Sequence, residues 1–499
     1  MHKVIPEPWS NPSANLMDRL SEEILLEVLS YLNLHELSIM ARVSNRLNRL
    51  SEDPKNLCRI SLNWQTGSAH STTRLVSAPQ DSAPKTRYPS TIARFHRTLL
   101  FTASRTKSCS RQPTVDVYQL KKGQKQDGVK SVPIGHIASA LDFSNLGMVG
   151  ISEIRVDERC DTESGMEQLP FSNQNSVILV VFYTTGQFAI FQIALPSSSE
   201  SEPELDVTEL YASSEVLIRS GPDGIYHQAA EVARLHYPLL VTCSTDFLLR
   251  FYELNSDGHN ALAARKLKLD MRSQTCFWPL NLNLTALETG FRLTIVYPTP
   301  FYPSAWTVGL QEFEFELSPT PKLLNTRHTT ALPFESTKLS RHSFRQMTGV
   351  GPVSGIEYAE PTVVVARTDN TLDTFEYRRR SCDPPELLHR RTLFGHTSRV
   401  AAVALNSSGR CVSAGQDGLN VWELAEGQMC GPVQVGLTQS DSEETNKVVE
   451  WVGFDTEKIV GVLRTGTCGA GEGGAGQAVS DESLMCLKFV VPRYILQVA

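Results

Sequence analysis

The residues of this chain that could do chemistry do not fall into a known catalytic spacing. The sequence has no GxSxG, no HExxH, no paired-cysteine metal site and no dinucleotide-binding fingerprint. Its twelve histidines and ten cysteines are dispersed. Aspartates and glutamates cannot be paired from sequence, so a hidden carboxylate site stays open as an alternative. We therefore expect a non-enzyme with no catalytic residue, no metal and no cofactor.

His396 has the most informative neighbours, because Ser413, Asp417 and Trp422 follow it within one short stretch of strand-like sequence. We interpret the four residues as a structural hydrogen-bond chain, in preference to His396 as a base or a metal ligand. In this hydrogen-bond series Asp417 binds His396, His396 binds Ser413, and Ser413 binds the indole of Trp422. Residues 394–424 resemble a WD repeat, which implies one blade of a β-propeller.

Weaker copies of the same pattern recur along the chain, each an alternating apolar run that ends in an aromatic residue. Their spacing exceeds the roughly 40–45 residues of a minimal blade, so we expect long loops between strands. Seven such positions predict seven blades, with six or eight as alternatives. The seven positions are Tyr118, Phe191, Tyr252, Phe315, Phe375, Trp422 and Phe489.

Three arginines are candidates for binding a target on this propeller. Arg105, Arg367 and Arg464 each stand near the end of a predicted second strand, where the chain reaches one common face. Three guanidinium groups around one channel mouth would bind a phosphate or a carboxylate through paired hydrogen bonds. The alternative is three unrelated arginines at strand ends.

Residues 20–62 carry a leucine-rich helical pattern. Ser21 can cap a first helix whose opening turn is acidic. Asn33 or the residue after it begins a second helix, and Ser44 or the residue after it caps a third. Pro54 is expected to end the third helix. The pattern predicts a small three-helix module.

The same residues resemble an F-box, the module that attaches a protein to the Skp-type adaptor of cullin-RING ubiquitin ligases. About forty residues cannot bury so many leucines, so we expect some of them to face a partner. Ser21 and Cys58 depart from the proline and tryptophan usual in the family. A helical cap that packs on its own C-terminal domain is the alternative. The residues expected to bind the adaptor are Leu20, Ile24, Leu25, Leu29, Leu32, Leu37, Val43, Leu47 and Leu57.

Composition is that of an ordinary globular protein. The 499 residues are 41% hydrophobic and 20% charged, and the net charge of −7 gives no reason to expect nucleic-acid binding. No apolar run approaches a membrane span, and the N-terminus lacks the apolar core of a signal peptide. Scattered cysteines in apolar surroundings indicate reduced thiols and a cytoplasmic or nuclear location.

We expect a mainly β chain in three parts. They are an F-box over residues 14–62, a linker with one short strand over residues 63–89, and a WD-repeat-like propeller over residues 90–499. A chain of this order resembles the F-box/WD-repeat proteins.

That resemblance implies a substrate receptor of an SCF-type ubiquitin ligase. Its partners would be the adaptor, a cullin through the adaptor, and an unidentified protein target, with no nucleic acid and no membrane. The alternatives are a scaffold or assembly factor without ligase function, and an enzyme built on the propeller.

Overall fold

The computed structural model describes most of the predicted F-box and the strands of the propeller. The described residues are 20–69, 71–76, 91–105, 112–120, 133–146, 148–157, 176–194, 205–221, 224–244, 246–256, 262–267, 269, 271–272, 281–301, 305–317, 322–331, 352–379, 384–425, 431–435, 446–466 and 481–488.

Four helices form the N-terminal module, one more than the sequence predicts. They are α1 Glu22–Ser30, α2 Leu34–Ala41, α3 Asn45–Leu50 and α4 Glu52–Thr66. Ser21 and Ser44 cap their helices with their side chains, as expected, and Asn33 caps the second helix in the same way. Pro54 does not end the third helix. It lies in the first turn of α4, where a missing backbone N–H leaves no hydrogen bond unmade.

The helical module has a small apolar core of its own. Five leucines in it are buried, and three further side chains pack against them. Arg46 Nη2 donates to the Leu20 carbonyl at 2.8 Å, and Arg49 pairs with Glu22 at 2.6 Å, so α3 is held across the start of α1. The core residues are Leu25, Leu29, Leu37, Leu47 and Leu50, with Leu32, Met40 and Cys58 against them.

The remaining strands form antiparallel sheets that we call blades 1 to 7 in chain order. Blade 1 consists of β2 Thr91–His96, β3 Leu99–Ser104, β4 Thr114–Gln119 and β5 Gly135–Ala138. Blade 2 consists of β6 Ile151–Val156, β7 Ser176–Tyr183, β8 Phe188–Ala194 and β9 Val207–Ala212. A hairpin of β10 Ile218–Gly221 and β11 Gly224–His227 follows. Blade 3 consists of β12 Ala230–His236, β13 Leu239–Ser244, β14 Leu248–Ser256, β15 Leu262–Lys266 and β16 Met271–Arg272.

Four blades complete the propeller. Blade 4 consists of β17 Asn281–Leu287, β18 Gly290–Phe301, β19 Ala305–Glu316 and β20 Lys322–Thr330. Blade 5 consists of β21 Val353–Ala359, β22 Thr362–Arg367, β23 Leu372–Arg378 and β24 Glu386–Leu393. Blade 6 consists of β25 Val400–Leu405, β26 Arg410–Gly415, β27 Gly418–Glu423 and β28 Val433–Val435. Blade 7 consists of β29 Asn446–Phe454, β30 Lys458–Gly466, β31 Asp481–Lys488 and the early strand β1 Ser71–Val76.

The sheets close into a ring around their first strands, which contact one another in sequence from β2 to β29 and back to β2. A separate apolar cluster fills each space between neighbouring blades. Between the last blade and the first, Val460 and Val462 pack against Leu100 and Tyr118. The prediction of a mainly β chain with an N-terminal helical module and a propeller is confirmed.

The predicted number of seven blades needs a correction, because six of the sheets are regular four-stranded blades. The sheet of blade 3 departs from that form by a fifth strand, β16, which pairs with β14. Six of the seven predicted aromatic positions are buried on the third strand of their sheet. The seventh, Phe489, lies outside the described residues.

The predicted linker also needs a correction, because it contains parts of both domains. The helix α4 continues to Thr66, past the expected boundary at residue 62. The short strand expected in the linker is β1, which pairs with β31 as the outer strand of blade 7, with Ser71 opposite Lys488. One sheet therefore holds the first and the last described strands, and this pairing closes the ring.

Candidate functional site

The F-box module presents an apolar surface that its own core does not use. Four predicted adaptor-binding residues are exposed, namely Leu20, Ile24, Val43 and Leu57. So many exposed large apolar side chains in one small module are typical of a surface that binds a partner. The predicted adaptor-binding set did not include five further exposed apolar side chains of the module. They are Leu26, Val28, Tyr31, Ile39 and Leu62.

The other predicted adaptor-binding residues lie in the interior of the module. Leu25, Leu29, Leu37 and Leu47 are buried in the core of the module, and Leu32 is half-buried against it. As folded, the four buried leucines form the core of the module and are not among its exposed apolar side chains. In α1 the buried and the exposed apolar residues each follow a helical spacing.

The exposed apolar residues of α1 are Ile24, Leu26 and Val28, and Tyr31 follows as its C-cap. Ile24, Val28 and Tyr31 recur at intervals of four and three residues and so lie along one side, whereas Leu26 does not. Leu25 and Leu29 recur at an interval of four along the neighbouring side, which faces the core. The periodicity alone shows two apolar sides and does not say which one is covered.

In blade 6 the four residues expected to form a hydrogen-bond chain do so. Trp422 Nε1 donates to Ser413 Oγ at 2.8 Å, Ser413 Oγ lies 2.6 Å from His396 Nε2, and His396 Nδ1 lies 2.9 Å from Asp417. An Nδ1–H that faces a carboxylate leaves Nε2 to accept from the serine. Ser413 and the His396 side chain are fully buried, so neither can meet a substrate. The hydrogen bonds tie β26 and β27 to the loop before β25 and to the turn between the two strands, and their role is structural.

Asp417 should make the stability of blade 6 depend on pH. Burial alone would raise the pKa of Asp417, but hydrogen bonds from His396, Ser398 and the Thr397 N–H outweigh it and lower the pKa to about 2. A carboxyl group with a lowered folded pKa stabilises the fold above its unfolded pKa of about 3.9 and loses that contribution as pH falls.

We therefore expect Asp417→Asn to be less stable than wild type at pH 6, with a difference that shrinks as pH falls from about 4 towards 2. Urea denaturation of both proteins at each pH measures this difference. A difference that stays constant over the whole range would contradict the role given to the carboxylate.

The three predicted target-binding arginines are already paired. Arg105 pairs with Glu231 of blade 3 at 3.4 Å, and Arg464 pairs with Glu450 of its own blade at 3.0 Å. Arg367 is buried, pairs with Asp373 and donates to the Trp306 carbonyl at 3.1 Å. The three guanidinium groups are paired with carboxylates of the propeller, so the three arginines do not form a free anion-binding site. The alternative of unrelated strand-end arginines fits the structure.

A cavity of about 380 Å³ lies along the central channel, lined by the first strands of all seven blades. Its wall carries charges of both signs, with Arg94 and Glu153 paired at 2.7 Å. Burial would raise the pKa of Glu153, but nearby guanidiniums of Arg155, Arg94 and Arg105 outweigh it and lower the pKa. The further charged lining residues are Arg234, Glu357 and Glu450.

A second cavity, of about 430 Å³, lies between blades 5 and 6. Glu360 lines it and pairs with Arg379, which also pairs with the buried Glu312 of blade 4. Within the described residues, no group of three or more His, Cys, Asp or Glu side chains is placed to hold a metal ion. No helix in that same part of the chain has the length and apolar character to cross a membrane.

Solved propellers align with much of this chain at low similarity. The β-propeller domain of Cps50 (Swd1) from Myceliophteria thermophila is 10% identical, with 83% of this chain and 99% of that chain covered and a TM-score of 0.36. Sqt1 from Saccharomyces cerevisiae is 8% identical, with 79% and 93% covered and a TM-score of 0.35. Sqt1 from Chaetomium thermophilum is 12% identical, with the same coverage and a TM-score of 0.36. Scores this low carry no inference about this chain.

Two family models match the sequence. The F-box domain matches residues 17–59, which contain the first three helices and the exposed apolar surface. The model described as the F-box protein pof12 β-propeller matches residues 168–434, from blade 2 to blade 6 and more than half of the chain. A search of curated proteins found no match. With an F-box before the propeller and the propeller match over most of the ring, the chain belongs to the family of F-box proteins with a pof12-type β-propeller.

Proposed function

We propose that this protein is the substrate-recognition subunit of an SCF-type ubiquitin ligase, acting in the cytoplasm or the nucleus. The observation that carries the proposal is the exposed apolar surface on the F-box module. Its members lie outside the module's own core, and α4 packs on the propeller through Ile60 and Trp64, which are not among them.

The apolar surface supports adaptor binding by its chemistry. Ile24, Val28 and Tyr31 lie along one side of α1, as an amphipathic helix does when it enters a groove on a partner. Covering these side chains removes apolar area from water, at roughly 25 cal/mol per Å² before the costs of association. The adaptor would in turn hold a cullin.

The propeller supports the other half of the proposal. It is a closed ring of sheets whose central channel carries charges of both signs. We infer that it holds a protein target by surface contacts at one face of the ring. The chain would then accelerate ubiquitin transfer by holding the target near the charged ubiquitin carrier, a proximity effect that needs no bond-making residue here.

The test is affinity purification of the full chain from cells in which the proteasome is inhibited, followed by mass spectrometry. We expect the Skp-type adaptor, a cullin and at least one ubiquitinated partner to be recovered with the chain. Recovery of the adaptor without any cullin would favour the alternative function, a scaffold or assembly factor. Recovery of neither protein would contradict adaptor binding itself.

A further inference from the structure

Trp64 stands at the end of α4, yet it belongs to the core of the propeller. Its side chain is only 1% exposed and is part of the apolar cluster between blades 6 and 7. In that cluster it lies among Val412, Val421 and Val449. A residue on the last helix of the N-terminal module therefore fills a space between two blades.

The tryptophan is held by directional contacts as well as by burial. Its indole Nε1 donates to the Thr456 carbonyl at 2.9 Å. The guanidinium of Arg410 lies 4.4 Å from the ring centroid, within the range of a cation–π contact. Phe454 meets the ring edge to face at 6.0 Å. Blade 6 supplies Arg410 and blade 7 supplies the other two, so one indole is fixed by both blades.

The helix α4 takes part in two cores at once. Cys58 packs against the leucine core of the F-box module, whereas Ile60 and Trp64 pack in the cluster between blades 6 and 7. From Cys58 to Trp64 a helix rises only about 9 Å at 1.5 Å per residue. The two cores are thus joined by less than two turns of continuous helix.

The polypeptide continues directly from the end of the helix into the propeller. Gly67 stops α4 in a left-handed conformation with φ of 68°. A Cβ atom at this position would lie 2.5 Å from the Gln434 carbonyl of blade 6, so only glycine fits. The strand β1 begins at Ser71 and closes the ring against β31.

We propose that Trp64 is a positioning residue that locks the F-box and the propeller into one rigid body. The lock fixes the angle at which an adaptor on the F-box would hold the face of the propeller that carries a target. This consequence for ubiquitin transfer rests on the proposed function, whereas the rigidity itself does not.

Pulsed electron paramagnetic resonance on the isolated full chain tests the lock without any adaptor. Genetically encoded spin labels avoid the ten native cysteines. One label replaces the exposed Asn48 on α3, and the other replaces the exposed Glu215 before β10. We expect a single narrow distance distribution for the wild-type chain. We expect a distribution at least twice as wide for Trp64→Ala, and a narrow one for Gln65→Ala, an exposed neighbour on the same helix.

Two milder variants keep the test decisive if Trp64→Ala does not fold. Trp64→Phe keeps an aromatic ring but loses the donor to Thr456, and Arg410→Gln removes the cation over the ring. Broadening in either variant, with circular dichroism unchanged, supports the lock. A wide distance distribution for the wild-type chain would overturn the proposed lock. Distance distributions as narrow as that of the wild type in every Trp64 and Arg410 variant that folds would overturn it too. Adaptor pull-down should succeed for all variants, and its failure for the wild type would count against the proposed function alone.

Discussion

Ile24→Glu is expected to weaken binding of the Skp-type adaptor by at least about 30-fold, the equivalent of about 2 kcal/mol at a central contact residue. Ile24 is 49% exposed on α1, so the change buries no charge in the free protein. It also stands three residues after the cap Ser21, where a glutamate side chain favours the start of a helix. The fold should therefore survive while the partner meets a charge. Calorimetry with purified adaptor measures the change.

The matched control is Ile218→Glu on the β10–β11 hairpin. Ile218 is 60% exposed and receives the same substitution outside the F-box. Its adaptor affinity should equal that of the wild type. Equal affinity for both variants and the wild type would show that the exposed side of α1 is not the binding face. Unlike both of these variants, Leu37→Ala should lower the stability of the F-box module, because loss of a fully buried leucine costs roughly 2–5 kcal/mol.

Trp422→Ala is expected to lower the free energy of unfolding by about 3–5 kcal/mol. The side chain is 3% exposed, packs between blades 5 and 6, and is the donor to Ser413. Its loss leaves a cavity and removes one end of the hydrogen-bond chain. Chemical denaturation measures the loss, and adaptor binding should not change, since the F-box lies elsewhere.

Phe394→Ala is the control for Trp422. It removes an aromatic side chain from the same repeat, but Phe394 is 70% exposed, so the change should cost less than about 0.5 kcal/mol. A similar loss of stability in both variants would contradict the structural role given to the Trp422 bond chain.

Local patterns explain the part of the fold that the sequence predicts correctly. The three capped helices follow from Ser21, Asn33 and Ser44, each of which bonds a backbone N–H three residues later. Blade 6 follows from residues within one repeat of each other. The aromatic position on the third strand recurs in sheet after sheet because each sheet must fill the space beside its neighbour.

Pairings between distant residues explain what the sequence does not predict. Ser71 and Lys488 pair across almost the whole chain, so nothing near residue 71 indicates that it closes the ring. Arg105 and its partner Glu231 are 126 residues apart and belong to different blades. The docking of Trp64 between two blades is hidden for the same reason. In the F-box, buried and exposed leucines look alike, because apolar type alone does not say what covers a side chain.

The candidate target site also depends on partners that are not evident from the sequence. Strand-end position placed Arg105, Arg367 and Arg464 in a plausible set, but their function depends on neighbouring carboxylates. In blade 5, Asp369 in the turn before β23 accepts from the backbone N–H and the hydroxyl of Thr371, only two residues away.

Reconstituted ubiquitin transfer tests the central claim most directly. The full chain, the Skp-type adaptor, a cullin-RING core and a charged ubiquitin carrier would be combined with the partner recovered on the propeller. The account predicts ubiquitin chains on that partner with the wild-type protein and with Ile218→Glu, and their loss with Ile24→Glu. A partner that stays bound in a complete assembly with the cullin, yet receives no more ubiquitin than it does without this chain, would contradict it.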